Sequence, residues 1–366
     1  MKQKKLLMVA GPVEIEEDIS LIGSAPQEYM RTEEYSKKWE RIFENLQYIF
    51  QTKFPVVCYA SSGTGAMEAA VTNFLSFGDT VAFINAGSFG KRWGNIAQKH
   101  GINSIEIPSK FGDITEIEDV KNILDKNLKI KVLFATLNET SCGSLQNIEK
   151  LGNLLKHYPE VLFVVDCISG LCSDKFLMDK WNVDVAVSSS QKALALPPGL
   201  SFMAVNDKAL KFAENANLRT FYFDIFEYLK DRKRNQTPYT PATGIVNQLD
   251  IRLQKIKKEG LENFQKRYNN NTQYLREKLV ELGLKTFVKS KANCVTAIWT
   301  DKYDASEIVK IMRNKYNIEL APSGGGLSKK MFRIGTYGNI GKEEIDKCIS
   351  CLKSTIKEID KNGNTN

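Results

Sequence analysis

Histidine is the scarcest chemically versatile residue in this sequence, with His100 and His157 the two examples among 366 residues. Both lie in or just after polar stretches with a helical pattern. Two separated histidines do not form the imidazole cluster of a zinc site, and neither is placed to serve a Ser-His-Asp triad. The sequence therefore argues against both kinds of chemistry, and we expect no metal site.

Long apolar runs are also missing. No segment approaches the length of about 18 apolar residues that a membrane helix needs. The basic N-terminus is followed by a brief apolar run that ends at Gly11-Pro12, which is too short for the core of a signal peptide. We therefore expect a protein that does not associate with membranes.

Charge and cysteine usage exclude further classes. The net charge of +8 results from 51 Lys and Arg against 43 Asp and Glu. No basic block is interleaved with aromatic residues, so we expect no nucleic-acid partner, and the modest basic excess suits small anionic substrates.

The seven cysteines are odd in number and lie mostly in apolar segments, which predicts reduced thiols in the cytoplasm. Cys348 and Cys351 have redox-motif spacing, but they fall in an amphipathic helical pattern that favours simple packing.

What the sequence does contain is a regular alternation from about residue 40 onward. Helical segments alternate with short β-branched runs, which predicts a mostly parallel α/β sheet with helices on both faces. The predicted strands are Phe54–Tyr59, Thr80–Asn85, Ser104–Pro108, Ile130–Thr136, Val161–Asp166, Val183–Ser188 and Leu200–Ala204. The predicted helices are Trp39–Phe50, Gly65–Leu75, Lys91–His100, Ile117–Leu124 and Ile148–His157.

A long helical segment, Val246 to Leu282, leads into a smaller α+β region. Its predicted strands are Cys294–Trp299, Ile318–Ala321 and Phe332–Thr336. We therefore predict a large domain over residues 1–259, with an N-terminal arm over 1–20, and a small C-terminal domain over 260–366.

Lys192 and Asp166 are the most informative pair of residues. Lys192 lies in the loop Ser188-Ser-Ser-Gln-Lys-Ala-Leu-Ala-Leu-Pro-Pro-Gly199, where small side chains let a cofactor approach and the prolines fix the backbone. Asp166 ends the apolar run that begins at Val161. A lysine that forms a Schiff base and an aspartate that keeps a pyridine nitrogen protonated are what pyridoxal phosphate chemistry requires. A surface lysine and a helix N-cap are the structural alternatives.

Ser62, Gly63 and Thr64 lie in a Gly/Ser-rich turn that opens a helix. Such a turn presents free backbone N–H groups and the positive end of the helix dipole to an anion, so these residues are a candidate phosphate cup. Ordinary helix capping is the alternative.

Two further side chains have both a functional and a structural interpretation. Phe89 stands between glycines after a predicted strand, where it is either a lid over a flat ring or a core residue. Arg333 lies in a predicted strand with apolar neighbours, where it needs an anionic partner: a substrate carboxylate or an internal acid.

Together these residues resemble the class V aminotransferases of the fold-type I pyridoxal phosphate enzymes. The resemblance is closest to the alanine–glyoxylate and serine–glyoxylate (serine–pyruvate) aminotransferases. It extends from Gly11-Pro12 to the strand of Arg333, and its most specific part is Ser-Gln-Lys192-Ala-Leu followed by Pro-Pro-Gly199. It implies a large domain with a mostly parallel, seven-stranded sheet between helices, and a homodimer with a shared active site.

The resemblance also implies residue roles. Lys192 would be the Schiff-base lysine and Asp166 the partner of the pyridine nitrogen. Phe89 would stack on the ring, and Arg333 would bind the substrate carboxylate. The remaining implied cofactor contacts are Ser62, Gly63, Thr64, Thr140, Ile168, Gln191 and, from the partner subunit, Thr240. The implied reaction is ping-pong transfer of an amino group from alanine or serine to glyoxylate or pyruvate.

Arg31 leaves the substrate open. Its segment, Pro26 to Tyr35, resembles one found in branches whose substrates carry a second anionic group, such as 2-aminoethylphosphonate–pyruvate transaminase. Arg31 would then bind a phosphonate or a distal carboxylate, whereas the structural alternative pairs it with Glu33 or Glu34.

A lyase or decarboxylase on the same scaffold is an alternative to the aminotransferase reaction. A cysteine desulfurase is disfavoured because Gln191 and Phe89 stand where those enzymes carry histidines.

Overall fold

Fourteen strands and twelve α-helices alternate along residues 5–286 and 288–363, the part of the chain that this computed structural model describes. The strands are β1 Leu6–Met8, β2 Val56–Tyr59, β3 Thr80–Asn85, β4 Asn103–Pro108, β5 Ile130–Thr136, β6 Asn138–Glu139, β7 Ser144–Leu145, β8 Leu162–Asp166, β9 Val185–Ser189, β10 Ser201–Val205, β11 Lys285–Thr286, β12 Val295–Trp299, β13 Ile318–Pro322 and β14 Met331–Gly335.

The helices are α1 Glu17–Ile22, α2 Glu33–Phe50, α3 Gly63–Phe74, α4 Ser88–Lys99, α5 Ile117–Lys126, α6 Ile148–Leu155, α7 Asp207–Asn215, α8 Ile225–Arg232, α9 Thr243–Glu259, α10 Leu261–Glu281, α11 Ala305–Tyr316 and α12 Lys342–Gly363. None of them combines the length and apolarity that crossing a bilayer requires.

A seven-stranded sheet forms the centre of the molecule, in the order β2-β10-β9-β8-β5-β3-β4. Strand β10 is antiparallel to both of its neighbours, and the other pairings are parallel. The predicted α/β fold with a mostly parallel sheet is therefore confirmed. Because β2, β3, β5, β8 and β9 run in the same direction, their carboxyl ends open at one edge of the sheet, where ligands bind in such folds.

Both faces of this sheet are buried, as the near-continuous apolar character of its strands requires. In β8, Phe163 and Val165 join one core cluster, and Leu162 and Val164 join the other. Helix α2 covers the first face with apolar residues spaced at helical intervals, whereas the small residues of α3 let that helix lie close to the second face. Burying each large apolar side chain contributes roughly 1.5–3 kcal/mol, so these two layers hold the strand ends rigidly.

A second sheet, in the order β1-β13-β14-β12-β11, combines the two ends of the chain. Residues 6–8 of β1 pair in parallel with residues 318–320 of β13. The N-terminal arm was predicted to accompany the large domain, but its strand lies in the sheet of the C-terminal region. The N-terminal segment and β14 approach each other closely. A Cβ on Gly335 would lie 1.9 Å from the carbonyl oxygen of Val9, so this position admits glycine alone.

The long helical segment predicted from Val246 to Leu282 is two helices, α9 and α10. Gly260 separates them with a φ of 85°, a conformation that glycine adopts without the steric penalty of a side chain. The predicted boundary between residues 259 and 260 coincides with this break, and the division into two domains stays a prediction.

Candidate active site

The carboxyl edge of the seven-stranded sheet brings together segments that are far apart in sequence. Asp166 ends β8, and Lys192 lies in the loop that follows β9. Helices α3 and α4 begin just after β2 and β3, and Thr140 follows the short strand β6 beyond β5. Nearly all of the predicted site residues therefore belong to loops and helix starts along one edge.

Lys192 is buried, with 8% of its surface exposed. Its Nζ donates a hydrogen bond to the carbonyl oxygen of Ala10. Gly11 lies directly against it, because a Cβ at this glycine would come within 2.8 Å of the lysine Nζ. Burial lowers the pKa of Lys192 to about 8; the charge of Asp166 opposes this shift, and Arg333 and Arg92 reinforce it. The neutral, nucleophilic form of the amine is therefore far more populated near neutral pH than it is for an ordinary lysine.

Asp166 is also buried, with 3% of its surface exposed. Its Oδ1 accepts a hydrogen bond of 2.8 Å from the backbone N–H of Ile168. Burial raises the pKa of Asp166 to about 7; the Ile168 bond opposes the shift, and the charge of Glu139 adds to it. A cation at this carboxylate would remove most of the burial penalty.

The start of α3 has the features of an anion site. Ser62 is the N-cap residue, but its side chain makes no capping hydrogen bond. Gly63 packs closely, because a Cβ there would lie 2.6 Å from Ile168 Cδ1 and 3.1 Å from Ser189 Oγ. Ser189 Oγ and Gln191 Oε1 are buried without a hydrogen-bond partner in the part of the chain described. The helix start thus faces polar atoms that a bound group would satisfy.

Phe89 belongs to the first turn of α4, whereas the sequence pattern predicted that this helix begins two residues later, at Lys91. The guanidinium of Arg92 lies over its ring, 4.8 Å from the centroid. Nη1 of the same arginine donates a hydrogen bond of 2.9 Å to Thr64 Oγ1. The first turn of α4 therefore contacts the start of α3.

Thr140 and Arg333 are in direct contact at this edge of the sheet. Arg333 donates a hydrogen bond of 2.9 Å to the carbonyl oxygen of Thr140 and one of 2.8 Å to that of Pro322. Its Nε is buried without a partner within the described residues. The hydroxyl of Thr140 pairs with that of Ser169 at 2.6 Å. No carboxylate hydrogen-bonds to this arginine in the described structure, so donor capacity remains for an acidic ligand.

The sequence left Arg31 either as a contact to a second anionic group of the substrate or as a partner of Glu33 or Glu34, and in the structure its guanidinium pairs with the loop 236–238. It donates to the side chain of Gln236 at 2.8 Å and to the carbonyl oxygens of Thr237 and Pro238 at 2.8 and 3.2 Å. The alternative of a pair with Glu33 is not seen either, since Glu33 pairs with Lys37. Thr240, just beyond this loop, is exposed.

Three residues near the site were not singled out in the sequence: Glu139, Arg92 and Ser189. Glu139 is completely buried, and it accepts hydrogen bonds from the first turn of α4. The available signal for Glu139 was an acidic residue three positions beyond the end of the apolar strand β5. Among the described residues, no group of three or more His, Cys, Asp or Glu is arranged to hold a metal ion.

Comparison with known proteins identifies similar chains. Residues 22–347 match the family model described as aminotransferase class-V. An uncharacterised aminotransferase of Methanocaldococcus jannaschii is 35% identical over 361 residues, which are 97% of this chain and 94% of that protein. The serine–glyoxylate aminotransferase of Arabidopsis thaliana is 32% identical over 96% of this chain and 90% of its own. The crystal structure of an alanine–glyoxylate aminotransferase from Nostoc sp. superposes with a TM-score of 0.91 at 26% identity, covering 97% of this chain and 96% of that one.

Proposed function

The chain belongs to the class V aminotransferase family, and we propose that it moves the amino group of alanine or serine to glyoxylate or pyruvate with pyridoxal 5′-phosphate as cofactor. The observation that carries the proposal is the buried pair of Lys192 and Asp166 at neighbouring strand ends. Burial brings the pKa of the lysine down to about 8 and that of the aspartate up to about 7. Such shifted values are typical of groups that exchange protons during catalysis.

The residues at this edge fit pyridoxal phosphate. Asp166 forms no ion pair among the described residues, although the charges of Arg92 and Lys192 act on it, and a protonated ring nitrogen would supply a direct cationic partner. The free N–H groups at the start of α3 and the unpartnered hydroxyl of Ser189 suit a phosphate, because both can donate hydrogen bonds to its oxygens. We propose that Lys192 would bond the carbonyl carbon with release of its oxygen as water, that Phe89 would cover the ring, and that the following residues would contact the cofactor: Ser62, Gly63, Thr64, Thr140, Ile168 and Gln191.

In the reaction, Nζ of Lys192 would be released when the donor amine replaces it at the carbonyl carbon, and the free amine would then take the proton from Cα of the donor amino acid and return it later in the cycle. Its lowered pKa suits both steps, because an amine with a pKa near the working pH both accepts and releases a proton. The negative charge of Asp166 would hold a proton on the ring nitrogen. When bound, pyridoxal phosphate supplies the ring that delocalises the electron pair left at Cα.

Arg333 is the proposed carboxylate-binding residue for both donor and acceptor. Its Nε has no partner among the described groups, and a bidentate pair with a carboxylate would satisfy it. The similarity to serine–glyoxylate and alanine–glyoxylate aminotransferases supports small substrates. Arg31 is left out of the proposed substrate site because its guanidinium is bonded to the loop 236–238.

We further propose a homodimer in which Thr240 reaches the phosphate of the partner subunit. Thr240 is exposed, and it adjoins an aromatic group formed by Phe221, Tyr222 and Tyr239, in which Phe221 is 83% exposed. An exposed aromatic surface of this kind favours contact with another protein.

We also propose a cytoplasmic location. All seven cysteines are free thiols, which supports it.

The test is a set of activity assays on purified protein supplied with pyridoxal phosphate. Alanine or serine is offered with glyoxylate or pyruvate, and the keto-acid product of the donor is measured. We expect turnover that requires both donor and acceptor. Turnover without an acceptor would instead indicate a lyase or decarboxylase, and activity with 2-aminoethylphosphonate alone would replace the proposed donor.

A further inference from the structure

Glu139 is a completely buried acid on the short strand β6, next to Thr140. The reaction steps above do not use it. We propose that Glu139 is a positioning residue that holds Phe89 over the cofactor ring and links Phe89 to the loop bound by Arg333. This inference rests on the proposed function, since it assumes that Phe89 covers the ring.

Each carboxylate oxygen of Glu139 faces hydrogen-bond donors. Oε2 accepts from the backbone N–H of Gly90 at 2.8 Å and from that of Phe89 at 3.1 Å. Oε1 accepts from the backbone N–H and the hydroxyl of Ser141, at 3.1 and 2.5 Å. The carboxylate therefore ties the first turn of α4 to the loop that carries Thr140.

The carboxylate of Glu139 takes the place that an N-cap side chain would normally occupy at the start of α4. Gly87, the N-cap of α4, offers no side chain to cap the free N–H groups. A Cβ at Gly87 would lie 2.7 Å from Glu139 Cγ, so the glycine gives the acid room to take over that role. A negative charge at a helix N-terminus is stabilised by the helix dipole, and hydrogen bonds to a charged acceptor are stronger than neutral ones.

The loop held by Glu139 is also held from the other side. Arg333 donates to the carbonyl oxygen of Thr140, the residue directly after Glu139. From α4, the contacts continue to the cofactor side, because Arg92 lies over the Phe89 ring and bonds Thr64. One buried carboxylate thus stands between the proposed carboxylate-binding arginine and the proposed ring-covering phenylalanine.

Replacement of Glu139 by Gln tests the idea with little change in shape. The amide would direct N–H donors at the N–H groups of Phe89, Gly90 or Ser141, so the first turn of α4 would lose its fixed position. We expect E139Q to raise the dissociation constant of pyridoxal phosphate about tenfold, comparable to the loss of the Phe89 ring itself. The binding is followed by quenching of tryptophan fluorescence in the apoprotein, which requires no turnover.

A double-mutant cycle distinguishes positioning from general stability. If Glu139 acts through Phe89, E139Q weakens binding about tenfold in the native background but less than about twofold in the Phe89→Ala background. Losses that multiply to about a hundredfold in the double variant would overturn the proposal, as would a single variant with unchanged affinity. Asp304→Asn is the matched control, because Asp304 caps the distant helix α11 through Ser306 and should alter unfolding without changing cofactor affinity.

Ser141→Ala provides a second route if E139Q does not fold. It removes one hydroxyl donor from Glu139 and leaves the carboxylate in place, so we expect a smaller loss of affinity that again disappears in the Phe89→Ala background. Additive losses in this cycle would equally overturn the proposal. Failure of the native protein to bind pyridoxal phosphate would refute the proposed function together with this inference, whereas normal binding with additive cycles would refute the inference alone.

Discussion

Lys192 and Asp166 show at the scale of single residues how burial prepares a site for proton transfer. Each would carry a full charge in water at neutral pH, and burial disfavours the charged form of both. The pKa of the acid rises to about 7 and that of the amine falls to about 8, so both groups titrate near neutrality. Burial at the carboxyl ends of the strands thus accounts for most of the pKa shift of each group.

The pKa shift of Asp166 predicts how the stability of the apoprotein depends on pH. Because its pKa in the folded state, about 7, lies above the ordinary value of 3.8, the folded state retains a proton that the unfolded state has lost. This contribution favours folding at low pH and is lost as the pH rises through 7. We expect the free energy of unfolding of the native apoprotein, relative to Asp166→Asn, to fall by on the order of 4 kcal/mol between about pH 4 and pH 7.

Urea unfolding of both apoproteins across this range measures the difference. The exposed Asp119 supplies the control, since Asp119→Asn should follow the native curve closely. A constant difference in the free energy of unfolding between the native protein and Asp166→Asn would contradict the burial that raises the pKa of this carboxylate.

The residues that could be predicted from sequence are those whose local surroundings are distinctive. Lys192 stands among small residues and prolines, and Asp166 follows an apolar strand, so both were identified as candidates. Glu139 and Ser189 were not, because the importance of each depends on what lies opposite it. The donors to Glu139 come from residues about 50 positions earlier, Phe89 and Gly90, and no local pattern reports such a contact.

At the scale of elements, the start of α4 illustrates the same limit. The sequence predicted a helix from Lys91, because Gly87-Ser-Phe-Gly90 contains two poor helix formers. The helix begins at Ser88, because Glu139 satisfies the first backbone N–H groups from another strand. Strand β1 was missed for a related reason, since three residues carry no measurable periodicity and its partner β13 lies more than 300 residues away. The longer elements of the large sheet, with their clear apolar patterns, were predicted to within a few residues.

The start of α3 yields a prediction about the phosphate cup. Gly63→Ala would place a methyl group 2.6 Å from Ile168 and 3.1 Å from Ser189 Oγ, which would displace the turn that faces the proposed phosphate. We expect the affinity for pyridoxal phosphate to fall about tenfold, as typical overpacking energies imply. Titration of the apoprotein, followed by tryptophan fluorescence, measures it.

Gly324→Ala is the matched control for this substitution. Gly324 has a φ of −94°, and no atom outside its immediate chain neighbours lies within 4 Å of its Cβ position, so alanine fits there. Equal affinities for the two variants would show that the start of α3 does not contact the cofactor.

At the scale of the whole molecule, the site depends on segments from both ends of the chain. Ala10 and Gly11 contact Lys192, and Arg333 reaches Thr140 from the second sheet. A buried network reinforces this junction: Asp174 accepts hydrogen bonds from the backbone of Asn293 at 2.7 Å and from the side chain of Asn138 at 3.1 Å. The two sheets are therefore joined next to Thr140 and Arg333.

The proposed dimer makes a prediction that involves Arg31. This residue fixes the loop before Thr240, so in a shared site it would serve the partner subunit, whereas Lys192 serves its own. We expect Arg31→Met and Lys192→Ala to be nearly inactive separately. Mixed subunits should regain activity, because each mixed dimer contains one intact site, which amounts to about a quarter of all sites after random exchange.

Subunit exchange under mild denaturant, followed by dilution and assay, performs this test. A mixture of Arg31→Lys with Lys192→Ala is the control, because Arg31→Lys keeps the positive charge at this position and removes the guanidinium. Absence of any gain in the mixed sample, with dimers present by light scattering, would show that Arg31 acts within its own subunit or that the site is not shared.

The most direct test of the central claim is the absorption spectrum of the protein after addition of pyridoxal phosphate, compared between the native chain and Lys192→Ala. We predict a visible band in the native protein that moves to the near-ultraviolet when alanine or serine is added and returns with glyoxylate or pyruvate. Lys192→Ala should fold, as Lys180→Ala at an exposed site should, but only the exposed-site variant should reproduce the spectral cycle. A native spectrum that no amino donor changes, or a Lys192→Ala protein that completes the same cycle, would contradict the assignment of Lys192 as the reacting amine.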